Sequence, residues 1–367
     1  MKKTLVLMVI LIIIFSVTGC NNSQTNSPEG SENQGKTIID SYGRQVVLPG
    51  HIERIVPLGN APRLIAYLGL AHKAVGIPQC EHTDNPIMAY AYINIDNWKD
   101  LPNVGNDSLG AGEWYPEEIL SCQPDIILST YEKDVADNIQ KQTGIPVVSV
   151  TTPPLFSEEY NDTLRIIGQA CGVEDRAESI INYINSSLDD LKERTSKLAD
   201  ENKPQVLAAG ATFKGSHSID GIYAKYPVFE VLHVRDVARG LSDISTGLMV
   251  NREQILAWDP DMIFFDASSM ELVNMDYSED PAYFDQLKAV KEGNLYQWPN
   301  STWHWSNVEI PLVTAYYLGG LLYPEEFKDI DFQEKAGEIF ETFLKDPNYL
   351  SILDKEKLGY KKIKLGE

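Results

Sequence analysis

Glu117-Glu118-Ile119-Leu120-Ser121-Cys122-Gln123-Pro124-Asp125-Ile126-Ile127 recurs in the second half of the chain as Glu253-Gln254-Ile255-Leu256-Ala257-Trp258-Asp259-Pro260-Asp261-Met262-Ile263. In both copies a short amphipathic run stops at proline, which cannot continue a helix, and apolar residues after the aspartate enter a buried strand. Such turn chemistry also arises by convergence, but here the flanking elements repeat as well, which argues for two lobes of common descent. Around the first copy, strands are expected at 54–58, 73–77, 125–129 and 145–150, with helices at 62–70, 116–122 and 133–143. Around the second, strands at 205–209, 234–238, 261–266 and 294–298 alternate with helices near 228–232, 251–258 and 282–291. Strands alternating with helices predict an α/β fold of two Rossmann-like lobes, each a parallel sheet wrapped by helices.

Between the lobes there is no proline from 156 to 203 and no glycine from 173 to 209. Ile180, Ile184, Leu188, Leu191 and Leu198 fall on one stripe at helical spacing, which predicts a helix over 174–198. At about 1.5 Å per residue it would run about 37 Å, long enough to brace both lobes and to limit them to small rocking motions. Past the second lobe, Ala336, Ile339, Phe340 and Phe343 mark an amphipathic C-terminal helix expected to pack on that lobe.

The amino end has a different character. Met1-Lys2-Lys3 precedes an apolar run from Leu5 to Val17, too short to span a bilayer as a mature helix, and the run ends in Val17-Thr18-Gly19-Cys20. This resembles a bacterial lipobox, in which Cys20 would carry the lipid. Residues 21–35 are small and polar, the composition of a flexible tether. The expected organisation is therefore a signal peptide at 1–19, a tether at 20–36, a first lobe at 37–155, a linking-helix region at 156–203 and a second lobe with its C-terminal helix at 204–367.

The chain has 31 basic and 53 acidic residues; removing Lys2 and Lys3 with the leader leaves 29 against 53, a net charge of −24. That sign argues against nucleic acid or an anionic lipid surface as a partner. Cys80, Cys122 and Cys171 lack metal-ligand spacing, and the latter two lie in apolar helical patterns that predict buried thiols. Neither a Gly-x-Ser-x-Gly elbow, a His-Glu-x-x-His pair nor a phosphate-binding glycine loop occurs, so no enzyme is expected.

Taken together, the lipobox, Arg54-Ile55-Val56-Pro57-Leu58, Ala66-Tyr67-Leu68-Gly69-Leu70, both Pro-Asp strands and the single linking helix resemble the ABC-importer solute-binding proteins that capture ferric siderophores, haem and cobalamin. The resemblance covers roughly residues 38–343. It implies a class III periplasmic-binding-protein arrangement: an extracytoplasmic monomer, lipid-anchored to the cell membrane, that binds a small chelate, needs no cofactor of its own and docks on an ABC permease dimer. In that family one carboxylate per lobe contacts permease arginines. The matching positions are Glu117 and Glu253, each seven residues before its proline, although the helix dipole also favours a carboxylate in a first turn without any partner. Several relatives carry Thr-Glu where this chain has Pro62-Arg63, which predicts a cationic pocket edge.

Ligands of parallel α/β sheets bind beyond the carboxyl ends of the strands. The loops there offer Asn60, Arg63 and Tyr131 on the first lobe and Lys214 and His217 on the second, with Trp114 just before the Glu117 helix. The loop after the last strand carries Trp303, His304 and Trp305, flat apolar surface around an imidazole that suits a planar or aromatic metal chelate, although aromatics at lobe ends also serve packing. Arg63 and Lys214 could neutralise an anionic chelate, most simply a ferric siderophore; axial ligation by His304 or His217 would instead favour haem, and a purely aromatic and polar cleft a siderophore or corrinoid. A bare metal ion needs several imidazoles and carboxylates on one ion, and the six histidines show no i, i+4 pair. A sensor lipoprotein using the same body is the remaining alternative.

Overall fold

A computed structural model describes residues 35–107, 112–243, 245, 247–300 and 307–367. Two antiparallel strands, β1 (Lys36–Ile39) and β2 (Gln45–Leu48), open the described chain. A parallel three-stranded sheet follows in the order β3 (Ile55–Leu58), β6 (Ile126–Ser129), β7 (Val147–Ser149), with the small antiparallel pair β4 (Gly105–Asn106) and β5 (Glu113–Trp114) beside it in sequence. The second half forms a seven-stranded sheet from β8 (Gln205–Ala209), β9 (Gly221–Tyr223), β10 (Arg235–Asp236), β11 (Gly247–Met249), β12 (Met262–Asp266), β13 (Leu295–Trp298) and β14 (Lys361–Lys362). Its centre repeats the first sheet: β12 lies between β8 and β13, all parallel, as β6 lies between β3 and β7.

The Pro-Asp repeat has the same atomic construction in both halves. Gln123 and Asp259 turn the chain into the left-handed region (φ 46° and 43°) immediately before proline. The aspartate then ties the incoming strand to its neighbour: Asp125 Oδ2 accepts from the backbone N–H groups of Glu53 (2.7 Å) and Arg54 (2.8 Å), and Asp261 Oδ2 accepts from that of Gln205 (2.7 Å). The N–H of each aspartate donates back, to Arg54 O and to Gln205 O, both at 2.8 Å. Shared turn chemistry thus also sets the register at the start of each parallel pair.

The linking region is two helices. Glu158–Cys171 ends at Gly172, whose φ of 70° supplies the left-handed cap, and Glu174–Thr195 then runs for 22 residues, about 33 Å at about 1.5 Å per residue. It buries Ile180, Ile181, Ile184, Leu188 and Leu191. Arg176 near its start donates to Tyr67 O (3.1 Å) and Thr342 O (2.5 Å), while Arg194 near its end pairs with Asp329 at 2.7 Å.

Several expectations need correction, among them the helix near 282–291, which is two short helices, Pro281–Phe284 and Lys288–Lys291. Residues 73–77 make isolated bridges, Ile55 with Ala74 and Ile77 with Asn103, and no strand: the segment leaves the edge of β3 after one bridge, and Gly76 passes too close to Val104 for any larger residue. The strand expected at 234–238 is only the two residues of β10. The C-terminal helix Phe332–Leu344 packs against the helix Glu309–Leu322 and also reaches the first-half helix Ala61–Tyr67, where the Phe343 and Tyr67 rings meet edge to face at 5.2 Å. Cys122 and Cys171 are buried, as their pattern predicts.

Candidate functional site

Each sheet gathers its strand-end loops on one buried carboxylate. On the first, Asp107 follows β4; its Oδ2 accepts from the Gly59 N–H at 2.8 Å and its Oδ1 from the Tyr131 hydroxyl. Gly59, at φ 66° just past β3, is held to glycine because a Cβ there would sit 2.3 Å from Thr130 Oγ1. On the second, Asp266 ends β12. Its Oδ2 accepts from Asn300 Nδ2 (2.7 Å), Thr212 Oγ1 (3.2 Å) and the Tyr223 hydroxyl (3.2 Å), and its Oδ1 from the Ser268 N–H (2.9 Å). Burial raises both carboxyls above their ordinary range, Asp266 to about 6, while the hydrogen bonds oppose the shift.

The structure brings several expected residues into this setting. Tyr131 packs its ring against Gly59 and Gly112 and lies 6.4 Å from the Trp114 ring. Trp114 Nε1 is buried and has no hydrogen-bond partner among the described residues. Asn60 is buried beside Gly59, receives no capping bond on its side chain and shares a pocket with Leu64, Thr151, Thr152 and Tyr160. Trp114 lines a different pocket, with Glu113, Tyr115 and Gln142. Across the chain, Lys214 is exposed at φ 50° in the turn after β8. His217 stacks on Phe213 at 4.1 Å, and its Nε2 donates to the Phe213 carbonyl at 2.9 Å. Cys20, Trp303, His304 and Trp305 lie outside the described residues.

Arg63 is not at an open pocket edge. Its side chain is fully buried, donates from Nε to Asn307 Oδ1 at 2.9 Å and from Nη1 to Asn60 Oδ1, and lies over the Tyr90 ring at 4.7 Å. Around it are two buried acids. Glu81 accepts from the Tyr90 hydroxyl at 3.0 Å, and burial pushes its carboxyl up to about 8 against the pull of Arg63. Glu309 accepts from the Tyr67 hydroxyl and is likewise raised by burial. The group joins residues 60–90 to residues 307–309, so Arg63 connects the two halves from within.

Glu117 and Glu253 are both exposed in the first turns of Pro116–Ser121 and Arg252–Trp258, and neither forms an ion pair among the described residues. A helix leading into a parallel strand runs back against it, so both first turns lie at the carboxyl-end side of their sheets, the side of the strand-end loops. Sequence reasoning missed Asp107, Asp266, Glu81, Glu309 and Asn307. Glu309 carried a signal, as the one acid heading the helix Glu309–Leu322, which is otherwise uncharged and largely apolar. Among the described residues no group of three or more His, Cys, Asp or Glu is placed to hold a metal ion, and no helix is long and apolar enough to cross a membrane.

The periodic helix–strand order, the duplicated parallel sheets and the long connecting helix Glu174–Thr195 agree with a family model for periplasmic binding proteins that matches residues 64–302. The chain belongs to the periplasmic binding protein family. This family member is similar to the Fe(3+)-citrate-binding protein YfmC of Bacillus subtilis, with 26% identity over 309 residues, 82% of this chain and 91% of that protein. It is also similar to the iron(3+)-hydroxamate-binding protein YxeB of the same organism, at 24% identity over 55% of this chain and 58% of that protein. A periplasmic solute-binding protein from Veillonella parvula superposes with a TM-score of 0.66 at 22% identity, covering 85% of this chain and 93% of that one. The fold is thereby the class III periplasmic-binding-protein arrangement.

Proposed function

We propose that this periplasmic binding protein is the lipid-tethered, extracytoplasmic receptor of an ABC importer, and that its cargo is an intact metal chelate, first a ferric siderophore. The observation carrying the ligand class is the make-up of the strand-end loops. Trp114 on β5 beside Tyr131 in the loop after β6, with Phe213, Lys214 and His217 in the loop after β8, offer ring faces, hydroxyl and one exposed cation. Such groups hold a chelate by its organic shell and leave the metal to the chelator. The curated relatives that bind ferric citrate and ferric hydroxamate support the same class. Haem or a corrinoid is the second reading, and for haem either His304 or His217, whose Nε2 bond to Phe213 O leaves Nδ1 as the ligating nitrogen, would be the axial ligand. Cys20 carries the anchor in this reading, and the chain acts as a monomer.

Delivery rests on Glu117 and Glu253, exposed at equivalent repeat positions and free of ion pairs among the described residues, which suits arginines on a two-fold permease. A tether of some fifteen residues keeps the domain near that permease and raises its effective concentration. Tryptophan-fluorescence titration of the soluble domain with a ferric hydroxamate, ferric citrate, haemin, cyanocobalamin, molybdate and free Zn²⁺ tests the cargo. Saturable quenching by a ferric chelate is expected; response to molybdate or free Zn²⁺ alone contradicts the proposal.

A further inference from the structure

Three loops leave the carboxyl ends of the parallel strands β8, β12 and β13, and all three reach Asp266. The first does so through Thr212 Oγ1, the second through the Ser268 N–H and the third through Asn300 Nδ2. Tyr223 closes the arrangement, accepting from the Thr212 N–H at 3.0 Å and donating to Asp266. Asp266 is 1% exposed and Asn300 is fully buried, so these bonds form away from bulk water, where an unmet donor is costly. Asp107, 2% exposed and just past β4, plays a like part for two loops of the three-stranded sheet. It holds the turn after β3 through the Gly59 N–H and the loop after β6 through the Tyr131 hydroxyl, while Ser149 at the end of β7 donates to Tyr131 O at 2.5 Å.

We infer that Asp266 and Asp107 are positioning residues: Asp266 fixes the loops after β8, β12 and β13 to one another, Asp107, just past β4, fixes the turn after β3 to the loop after β6, and the two so preset the walls of the ligand cleft. The carboxylate suits this role because it accepts at up to about four sites and donates at none, so donors from separate loops converge without competing. An asparagine of the same shape offers one acceptor oxygen and turns an NH₂ group toward donors. The cleft part of the inference rests on the proposed ligand-binding role, whereas the linkage of the loops does not.

The test uses Asp266→Asn, with Val273→Ala as a control that trims a fully buried side chain of the same half. Amide hydrogen exchange of the ligand-free protein is the first readout. In Asp266→Asn, peptides covering 210–217, 267–270 and 298–300 are expected to exchange faster together, by about tenfold or more as one charge-assisted bond is lost. Val273→Ala should leave those three segments alike even where it lowers the melting temperature. Faster exchange at 267–270 only, or the same pattern in Val273→Ala, overturns the inference. Affinity for a ferric hydroxamate is the second readout: Asp266→Asn should weaken it about tenfold or more while Val273→Ala does not. If the wild-type protein binds none of the chelates yet the three segments loosen together, the linkage stands and the ligand reading fails. Should Asp266→Asn not fold, Thr212→Val and Tyr223→Phe cut the same ties from the loop side. Asp107→Asn should loosen the segments around 59–60 and 131 in the same way.

Discussion

Glu81 offers the sharpest quantitative handle. Its side chain is fully buried, accepts from Tyr90 and sits in the field of Arg63, yet burial outweighs that field and raises its carboxyl from 4.5 to about 8. A carboxyl whose folded-state pKa exceeds its unfolded value holds its proton more tightly when folded. Its contribution is therefore fully present below pH 4.5 and is lost as pH rises toward about 8. Within that window the unfolded chain has released the proton and the folded chain has not, so stability falls by about 1.4 kcal/mol per pH unit from this group alone. Between pH 5.5 and 7.5 the loss comes to about 3 kcal/mol. Glu81→Gln keeps the size and an acceptor for Tyr90 but cannot titrate. Urea unfolding of both proteins across that range should give a stability difference that shifts by about 3 kcal/mol in favour of the variant as pH rises. Taking the difference cancels groups unchanged by the substitution, including the raised Asp266 and Glu309. Parallel pH profiles for the two proteins would refute the reasoning, since Glu81 would then be ionised in the folded state.

Two further outcomes test the repeat and the docking. Asp125→Ala strips the acceptor from the Glu53 and Arg54 N–H groups and Asp261→Ala that from Gln205, so each should cost about 1–3 kcal/mol in chemical denaturation, and losses under about 0.5 kcal/mol would remove the register role. Glu117→Arg combined with Glu253→Arg should abolish chelate uptake by cells while leaving affinity in solution unchanged; weakened affinity would place the two acids in the cleft instead.

Much of the fold was legible because its signals are local. The Pro-Asp repeat, the glycine-free run after Val173 and the strand–helix alternation all depend on residues a few positions apart, and the parallel sheets and long helix follow from them. The lapses occur where partners lie far away in sequence. Arg63 follows a strand end and so has a cleft address, but its partner Asn307 is 244 positions on, and the helix that bears it, Ala61–Tyr67, buries six of seven residues. A short helix that is apolar apart from one arginine is a sign of a buried cation, and an acid heading an otherwise uncharged helix, as at Glu309, is its counterpart. Of the expected site residues, Trp114 was singled out from its place before the Glu117 helix and Tyr131 from its loop after a strand, and their rings lie 6.4 Å apart. Asp107 and Asp266 were not singled out, because an aspartate at a strand end looks the same in sequence whether it faces solvent or gathers donors from three loops.

The proposed cargo is an intact chelate. Native mass spectrometry with an absorbance spectrum, on protein purified from its own cells grown under iron limitation, tests it most directly. An intact ferric chelate adds a mass equal to iron plus an organic chelator, released together on unfolding, with a ferric charge-transfer band. An added mass equal to a bare metal ion, retained after chelators are dialysed away, would contradict it.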